Sequence, residues 1–554
     1  MKKRKLLMLL IPFLLSSCSK KDSGFDDGGM FGDDDDKPQF VIPELQNDSA
    51  INYQYDKSVG NKGGVNYEIF VRTFYDSDGD GIGDFNGVKE KLPYLKELGV
   101  SNIWLMPINP SPSYHGYDIS DYYTVHSDFG TLEDFKNLIE EAKKLNIGII
   151  MDLVINHCST NNPYFTKSYR DYVNGNTSET SKADWFNWSE DSKTGYNKFN
   201  NEHLYYESRF SKSMPDFNLD NKEVREEIKN ICKYWLDFGI SGFRLDAVLY
   251  YYFGNDDQNI EFLNWLKDTC ESIKPNTYIV GEAWNSTWNT LSPYYDSKID
   301  SFFNFPSSIE GYQKEAIISC AKGINDSKDF AEAIERVEND IKAKNPNALS
   351  SYFLSNHDMD RSSKGLTGDV AKAAASLTYL LPGTPYIYYG EEIGLQGVRG
   401  QNDNSDAKRR LPMIWSETNK KGECDFPEKN RPDLDNTIQV KTGVEDNLNT
   451  NYSLVNHYKK VINLRNKYSF IRNSSFVNLT NRIEDPSKHV LAYKLVTDKE
   501  SIIVIHNFNE KDIEIGLNNI SNEIIDSINT TKKMPQIKEG KLGIGSYSTV
   551  ILKA

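Results

Sequence analysis

The sequence predicts an α/β fold: a (β/α)8 TIM barrel with an inserted subdomain after strand 3 and a C-terminal antiparallel β domain. From Tyr67 onward, short and almost wholly apolar runs alternate with longer amphipathic stretches, which is the pattern of parallel strands covered on both faces by helices. Eight such units fit a closed barrel better than an open doubly wound sheet. Beyond about residue 470 the runs are short and separated by Asn, Asp and Gly, which indicates a compact antiparallel domain.

The elements follow in order along the chain, and end signals such as Thr131 as an N-cap and Gly99 as a stop help to place the helices. We expect barrel strands at residues 67–74, 103–108, 147–155, 242–246, 278–282, 299–303, 351–356 and 386–389. We expect helices at 88–98, 132–145, 223–238, 261–272, 331–341, 370–380 and 452–465, and terminal strands at 490–495, 501–507, 513–517 and 547–552.

A polar, aromatic stretch interrupts the alternation after the third strand. The catalytic barrel is therefore expected over 61–157 and 222–468, with an inserted subdomain B at 158–221. A β-sandwich domain is expected at 469–554.

The N-terminus has the pattern of a bacterial lipoprotein signal. Residues 2–5 are basic, residues 6–15 are apolar, and Ser16, Ser17 and Cys18 follow, as in a secretory signal with a cleavage point that resembles a lipobox. The apolar run is too short to span a bilayer as a helix. Residues 1–18 are thus predicted to be a signal peptide with Cys18 lipidated, so that the protein is exported and anchored to a bacterial membrane, at the cell surface. Residues 19–60 are predicted to be a disordered acidic tether.

The amino-acid composition limits the classes of binding partner to be expected. The net charge of −16 argues against a nucleic-acid or anionic-membrane partner held by charge. The 33 Tyr, 27 Phe and 8 Trp suit a neutral substrate met by aromatic faces and carboxylates. The cysteines other than Cys18 have neither a disulfide nor a zinc spacing, so we expect small buried side chains.

Polar residues at the ends of four predicted strands are the candidates for chemistry, because barrel active sites are built from strand C-termini. Arg244 and Asp246 stand two positions apart and should project to the same side of a strand. A carboxylate beside a fixed cation stays ionised, although an isolated pair of this kind is most often structural. Glu282 and Asp358 follow later strands, and three carboxylates on one rim make a purely structural reading much weaker.

The stretches 152–157, 244–246, 281–284 and 355–358 resemble the four signature regions of the α-amylase family of glycoside hydrolases, and the resemblance covers about residues 60–554. It implies that Asp246 is the nucleophile, Glu282 the general acid/base and Asp358 the carboxylate that binds sugar hydroxyls and stabilises the transition state. Retaining hydrolysis needs one ionised and one protonated carboxyl group about 5–5.5 Å apart. The apolar surroundings of Glu282 could raise its pKa into the working range.

The resemblance also implies a set of substrate contacts. Tyr117 would stack on a sugar, Asp118 would orient Arg244, and His157 and His357 would bind hydroxyls. The full expected set is His115, Tyr117, Asp118, His157, Arg244, Trp284, His357 and Arg361.

Residues 76–84 are the metal candidate, because alternating acidic residues and glycines let a short loop wrap a hard cation with oxygens. The loop begins like an EF-hand but has Gly87 in place of Glu at position twelve, which argues against that family. Some α-amylase relatives carry a Ca²⁺ loop of this form, and that likeness gives the ligands Asp76, Asp78, Asp80, the carbonyl of Ile82, and Asp84. The alternative is an acidic turn without metal.

Residues 214–218 resemble the form found in extracellular α-amylases intermediate between oligo-1,6-glucosidases and neopullulanases. Leu249 and Tyr250 stand where many α-amylases have Lys and His, which puts in doubt the usual leaving-group contacts and a second Ca²⁺ site near Asn156. The expected activity is retaining, endo-acting hydrolysis of α-1,4-glucosidic bonds in an α-glucan. An exo-acting α-glucosidase or oligo-1,6-glucosidase and a neopullulanase-like enzyme remain open. A glucanotransferase is a less favoured alternative, and a non-catalytic glucan-binding protein is a more remote one.

Overall fold

The computed structural model describes residues 64–199, 203–311, 313–401, 404–427, 438–485 and 487–554. The predicted signal peptide, Cys18 and the tether up to residue 60 lie outside these residues. In the part of the chain that the structure describes, every helix is too short or too polar to cross a membrane.

Eight parallel strands form one sheet that curls into a barrel, as predicted. The strands are Asn66–Ile69, Asn102–Leu105, Gly148–Leu153, Gly242–Leu245, Tyr278–Gly281, Ser301–Phe303, Leu349–Ser351 and Tyr386–Tyr388, and neighbours in the barrel are neighbours in this order, with the eighth strand beside the first. The seventh and eighth strands are joined by backbone hydrogen bonds from Thr384 N to Ser350 O and from Tyr386 N to Tyr352 O, both 2.8 Å. These two bonds complete the circle.

The main barrel helices lie close to their predicted ranges. Thr131 caps the second helix through a capping box with Asp134, and Gly99 ends the first helix with a left-handed φ of 101°, as expected from the sequence. The helices of eight or more residues are Phe85–Leu98, Leu132–Lys144, Pro163–Val173, Lys222–Phe238, Asp256–Ile273, Ser327–Lys344, Gly368–Leu380 and Leu454–Lys467, and the shorter ones are Trp288–Leu291, Phe305–Ser308, Ile317–Ala321 and Val444–Leu448.

The seventh strand lies earlier than the predicted 351–356. It ends at Ser351, and the Asn356 side chain accepts a hydrogen bond of 3.0 Å from the Asp358 amide. Such an Asx turn bends the chain away from the extended form. His357 and Asp358 therefore lie on a turn beyond the strand rather than on the strand itself.

The inserted segment carries the helix Pro163–Val173 and a three-stranded sheet of Trp188–Ser189, Tyr205–Glu207 and Tyr196–Lys198. Isolated bridges pair His157 with Asp216 and Phe186 with Phe217. The first of these ties the end of the third barrel strand to the end of the insertion, so the insertion lies against the rim of the barrel.

The C-terminal segment forms two antiparallel sheets, as expected. One contains Ser475–Asn478, Val490–Val496, Ser501–Asn507, Thr549–Lys553 and Ile524–Ile528, and the other contains Ile513–Gly516, Lys541–Ile544 and Gln536–Lys538. An apolar core that includes Val490, Ile505, Ile515 and Leu542 is shared by the two sheets. Cys158, Cys232, Cys270, Cys320 and Cys424 are buried and free of disulfides.

Candidate active site

The three carboxylates predicted from the strand ends line one cavity of about 530 Å³ at the C-terminal rim of the barrel. The fourth and fifth strands deliver Asp246 and Glu282, and the turn beyond the seventh delivers Asp358. The remaining lining residues are His115, Tyr117, His157, Phe210, Ser211, Met214, Ala247, Leu249, Tyr250, Trp284, Arg399, Asp406 and Arg410.

Arg244 is a buried cation that contacts three carboxyl groups at the rim of the barrel. Its Nη1 lies 2.8 Å from Asp152 Oδ1 and 2.8 Å from Asp246 Oδ1, and its Nη2 lies 3.0 Å from Glu282 Oε1. Asp152 is directly opposite Arg244 in the register between the third and fourth strands. The Trp104 ring lies 5.1 Å from the guanidinium carbon, so the cation is held between carboxylates and an aromatic ring.

Glu282 is an acid of the cavity whose pKa lies near neutral pH. Burial raises its pKa to about 7, helped by the charges of Asp246 and Asp358 and opposed by Arg244. Its Oε2 accepts a 3.0 Å hydrogen bond from the Ala247 amide. Ala247 has a φ of +53°, an uncommon left-handed conformation for a residue with a side chain. The chain thus turns sharply after Asp246 and aims this amide at Glu282.

Asp358 lies among cations. Arg410 Nη2 lies 2.8 Å from its Oδ1 and His357 Nε2 lies 2.9 Å from its Oδ2. Burial raises the pKa of Asp358, but His357, Arg410 and Arg244 outweigh burial and hold the pKa well below its usual range. Asp358 is therefore expected to be ionised at neutral pH.

Of the predicted histidines and aromatic residues, His115, Tyr117, His157 and Trp284 line the cavity, whereas His357 is fully buried and does not. Burial lowers the pKa of His157 and of His115, so each is neutral at pH 7. The Tyr117 hydroxyl lies 2.7 Å from His357 Nε2 and 3.1 Å from Asp152 Oδ2. Trp284, 40% exposed, stacks on Phe305 with 4.6 Å between ring centroids and leaves part of its indole open to the cavity.

Two predicted contacts are wrong. Asp118 does not orient Arg244: it is buried and accepts hydrogen bonds from Ser111 and Ser113. Asp152 occupies that role instead, because the strand register places it opposite Arg244. Arg361 does not line the cavity. Its guanidinium is buried and donates to the backbone carbonyls of Arg409 (2.9 Å) and Tyr389 (2.6 Å), so it supports the loop behind the cavity.

Several residues of the site escaped sequence reasoning. Arg399, Asp406 and Arg410 reach the cavity from the loop after the eighth strand, where the only signal is a polar stretch with paired arginines. Glu68, on the first strand, lies 2.5 Å from His357 Nδ1. A charged residue between Tyr67 and the apolar pair Ile69 and Phe70 was the signal that could have found it.

The aromatic run after Asp246 lies between the cavity and the inserted subdomain. Tyr250 lines the cavity and packs on Phe210 of the inserted subdomain, with 4.5 Å between ring centroids. Phe210 and Phe253 are 45% and 57% exposed, and Phe253 lies 5.4 Å from Tyr250. One side of the cavity is thus bounded by apolar and aromatic groups.

The acidic loop between the first strand and the first helix brings part of the expected metal set together. Carboxylate oxygens of Asp76, Asp78 and Asp84 lie within 4.8 Å of one another. Asp80 is outside this group, and its Oδ1 accepts a 2.7 Å hydrogen bond from the Ile82 amide. Asp84 also caps the first helix by accepting from the Gly87 amide. The available donors are all oxygens, which is the donor type that Ca²⁺ prefers.

Comparison with known proteins agrees with this geometry. The model described as the catalytic domain of alpha amylase matches residues 68–474, and the one described as the C-terminal domain of alpha-amylase SusG matches 490–551. Alpha-amylase 3 of Dictyoglomus thermophilum is 37% identical over 508 residues, covering 89% of this chain and 93% of that protein. The oligo-1,6-glucosidase of Parageobacillus thermoglucosidasius is 30% identical over 529 residues, covering 81% and 90%. The solved structure of Eubacterium rectale Amy13B has a TM-score of 0.82 at 36% identity and covers 91% and 97%. With matched models over most of its length and the strand-end carboxylates in one cavity, the chain belongs to the α-amylase family of glycoside hydrolases.

Proposed function

We propose that this glycoside hydrolase is an endo-acting α-amylase that cleaves α-1,4-glucosidic bonds in starch, glycogen or maltooligosaccharides with retention of configuration. The observation that carries the proposal is a pair of carboxyl groups that share Arg244 in one cavity, one of which has a raised pKa. Asp246 and Glu282 lie 2.8 and 3.0 Å from the guanidinium nitrogens of Arg244, and burial and neighbouring carboxylates raise the pKa of Glu282 to about 7. A retaining hydrolase needs two adjacent carboxyl groups, one of which can donate a proton near neutral pH.

The proposed reaction uses these residues in turn. Glu282 gives its proton to the glycosidic oxygen as the bond to the anomeric carbon breaks, and an Asp246 oxygen forms a bond to that carbon. The resulting carboxylate of Glu282 then takes a proton from water, whose oxygen attacks the same carbon and releases Asp246. Asp358, ionised by its cationic neighbours, binds sugar hydroxyls and favours the positive charge that develops on the sugar ring. Tyr117 supplies a ring face for the sugar whose bond is cleaved.

Specificity is the finer part of the proposal. Endo action on α-1,4 bonds is supported by the likeness to alpha-amylase 3 over nearly its whole length. Exo action by an α-glucosidase, or α-1,6 and neopullulanase-like action, is supported by the 30% identity to an oligo-1,6-glucosidase and by the absence of Lys and His at positions 249 and 250.

Product analysis decides between these activities. The substrates are a maltoheptaoside blocked at its non-reducing end, amylose, pullulan and isomaltose. Endo action on α-1,4 bonds releases fragments from the blocked substrate and from amylose, and leaves isomaltose intact. Failure on the blocked substrate with activity on short unblocked oligosaccharides would favour the exo enzyme. The matched control is Glu282→Gln, and a wild-type protein as inert as this variant would favour a glucan-binding protein.

We also propose that the loop 76–84 binds Ca²⁺ through Asp76, Asp78 and Asp84, with Asp80 and the Ile82 carbonyl completing the site. The proximity of three carboxylates and the all-oxygen donor set support it. When bound, the ion would neutralise the acids of the loop and tie it to the first helix that Asp84 caps. The loop lies outside the residues that line the cavity, so its expected effect is on stability rather than on the chemical step.

A further inference from the structure

A buried carboxylate behind the cavity contacts a buried histidine, which in turn contacts two residues that line the cavity. Glu68 lies on the first barrel strand and is 2% exposed, and its Oε1 is 2.5 Å from His357 Nδ1. On the other side of the ring, His357 Nε2 is 2.9 Å from Asp358 Oδ2 and 2.7 Å from the Tyr117 hydroxyl. Glu68 is not among the residues that line the cavity, so any effect it has on the reaction passes through His357.

The two contacts together determine the charge of the ring. An ionised carboxylate only accepts hydrogen bonds, and a neutral imidazole has a single N–H. Both ring nitrogens of His357 face a carboxylate, so both contacts are hydrogen bonds only when the ring is a doubly protonated imidazolium. With one proton missing, a ring nitrogen would oppose a carboxylate oxygen lone pair to lone pair, and the ring itself is fully buried.

The other charged groups near the His357 ring do not outweigh the effect of Glu68 and Asp358 on its charge. Arg410 reaches only the backbone carbonyl of His357, at 3.1 Å, and Asp152 is linked to the ring through the Tyr117 hydroxyl, at 3.1 Å. Burial lowers the pKa of His357, but the charges and hydrogen bonds of Asp358 and Glu68 outweigh burial and raise it to about 9. Two carboxylates therefore contact the ring itself, whereas Arg410 contacts only its backbone.

We propose that Glu68 is a positioning residue for the reaction, which holds His357 as an imidazolium with its Nε2 proton directed at Asp358. The inference rests on the proposed role of Asp358 in binding sugar hydroxyls. A permanently cationic His357 keeps Asp358 ionised and fixes its orientation before substrate arrives, so less reorganisation is needed in the transition state. The residue that orients His357 thus lies on the first barrel strand, on the opposite side of the imidazole ring from Asp358.

The direct test measures the charge of His357 by NMR in protein labelled at its histidines. The chain has 8 His, and the resonances of His357 are assigned by their loss in His357→Gln. In the wild type we expect the ring to remain an imidazolium up to at least pH 8. In Glu68→Gln, which is nearly isosteric, we expect the midpoint of its titration to fall by about one to three pH units, the effect of losing one adjacent charge. A wild-type ring that is neutral at pH 7 would overturn the proposal without any variant.

The matched control is Glu338→Gln. Glu338 is also a buried carboxylate, 3% exposed, and accepts a 2.6 Å hydrogen bond from the Tyr352 hydroxyl, but it lies on the helix Ser327–Lys344 outside the barrel. We expect its loss to leave the titration of His357 unchanged. A shift as large as that of Glu68→Gln would mean that any buried charge change produces the effect, and would refute a specific role for Glu68.

Activity supplies the second readout. In Glu68→Gln the alkaline fall of kcat/KM should begin at lower pH and become steeper, because His357 now loses its proton in the same range as Glu282. Glu68→Asp, which keeps the charge, should restore most of the wild-type profile, and adding Glu68→Gln to His357→Gln should change nothing further. A uniform loss at all pH values would indicate a merely structural residue. If the protein hydrolyses no glucan, the proposed function fails while the NMR titration still tests the link between Glu68 and His357.

Discussion

Replacing Arg244 by Lys tests the central electrostatic arrangement of the site. The guanidinium makes three contacts, two through Nη1 to Asp152 and Asp246 and one through Nη2 to Glu282. A single ammonium near the Nη1 position can keep the first two contacts and must lose the third. The variant therefore keeps the positive charge of the site but separates it from the proton donor.

The magnitude follows from the lost contact. A hydrogen bond to a charged group contributes about 1.5–3 kcal/mol. Because this one orients Glu282 toward the bond that breaks, its loss corresponds to a fall in kcat/KM of about 10- to 200-fold. Arg244 also opposes the other influences that raise the pKa of Glu282. Without that contact the pKa should rise above 7, and since Glu282 must hold its proton to act, the alkaline limb of kcat/KM should move to higher pH.

The assay is kcat/KM on a chromogenic blocked maltooligosaccharide between about pH 4 and 10, with thermal unfolding of each variant alongside. Arg465→Lys is the matched control, because Arg465 is equally buried and also makes three hydrogen bonds, to the carbonyls of Tyr379, Leu381 and Gly383. It should lose stability while keeping its kcat/KM profile. An alkaline limb of Arg244→Lys that stays in place or moves to lower pH would refute the reasoning.

The remaining predictions address the cavity wall, the metal, the anchor and a buried acid. Tyr250→Ala should raise KM for long maltooligosaccharides more than for maltotriose, because Tyr250 offers a ring to the cavity; equal effects on both would contradict this. Chelator should lower the Tm of the wild type and leave that of Asp78→Asn nearly unchanged, and equal Tm values with and without Ca²⁺ would count against the site. Cys18→Ser should move the protein from the membrane fraction of the producing cells to the soluble fraction, since we propose that Cys18 carries the anchor. Burial raises the pKa of Glu391 to about 8, so the folded protein binds a proton here that the unfolded chain releases above about pH 4.5. The free energy of unfolding should therefore fall between about pH 5 and 8, and it should fall less in Glu391→Gln.

The barrel and the three acids could be predicted because they depend on local patterns. Apolar runs and helix caps place the strands and helices, and all strand ends of a parallel barrel meet at one rim. Asp246, Glu282 and Asp358 were therefore bound to come together once the strands were counted. The exact end of the seventh strand mattered little, since the Asx turn at Asn356 still leaves Asp358 at the rim.

The partners of these acids could not be predicted, because they depend on register and on long loops. The pairing of Asp152 with Arg244 is a matter of which residues face each other in adjacent strands, and alternation of apolar residues does not fix that register between two fully buried strands. Arg410 arrives from a loop about fifty residues after Asp358, and Arg361, much nearer in sequence, turns away to bind backbone carbonyls. Closeness in sequence therefore predicts neither which acid lies opposite Arg244 nor which arginine contacts Asp358.

The charged groups of the site form two sets, one around Arg244 and one around Asp358. Arg244 serves Asp152, Asp246 and Glu282 together, so one cation faces three carboxyl groups and does not offset the burial that raises the pKa of Asp152 to about 6 and that of Glu282 to about 7. Arg410 and His357 serve Asp358, whose surplus of cations keeps it ionised. A change in Arg410 should therefore alter Asp358 first and reach Glu282 only through the charge of Asp358, whereas a change in Arg244 acts on Glu282 directly. The opposite pKa shifts of Glu282 and Asp358 follow from burial, which raises both pKa values, and from the neighbouring cations, which outweigh burial only at Asp358.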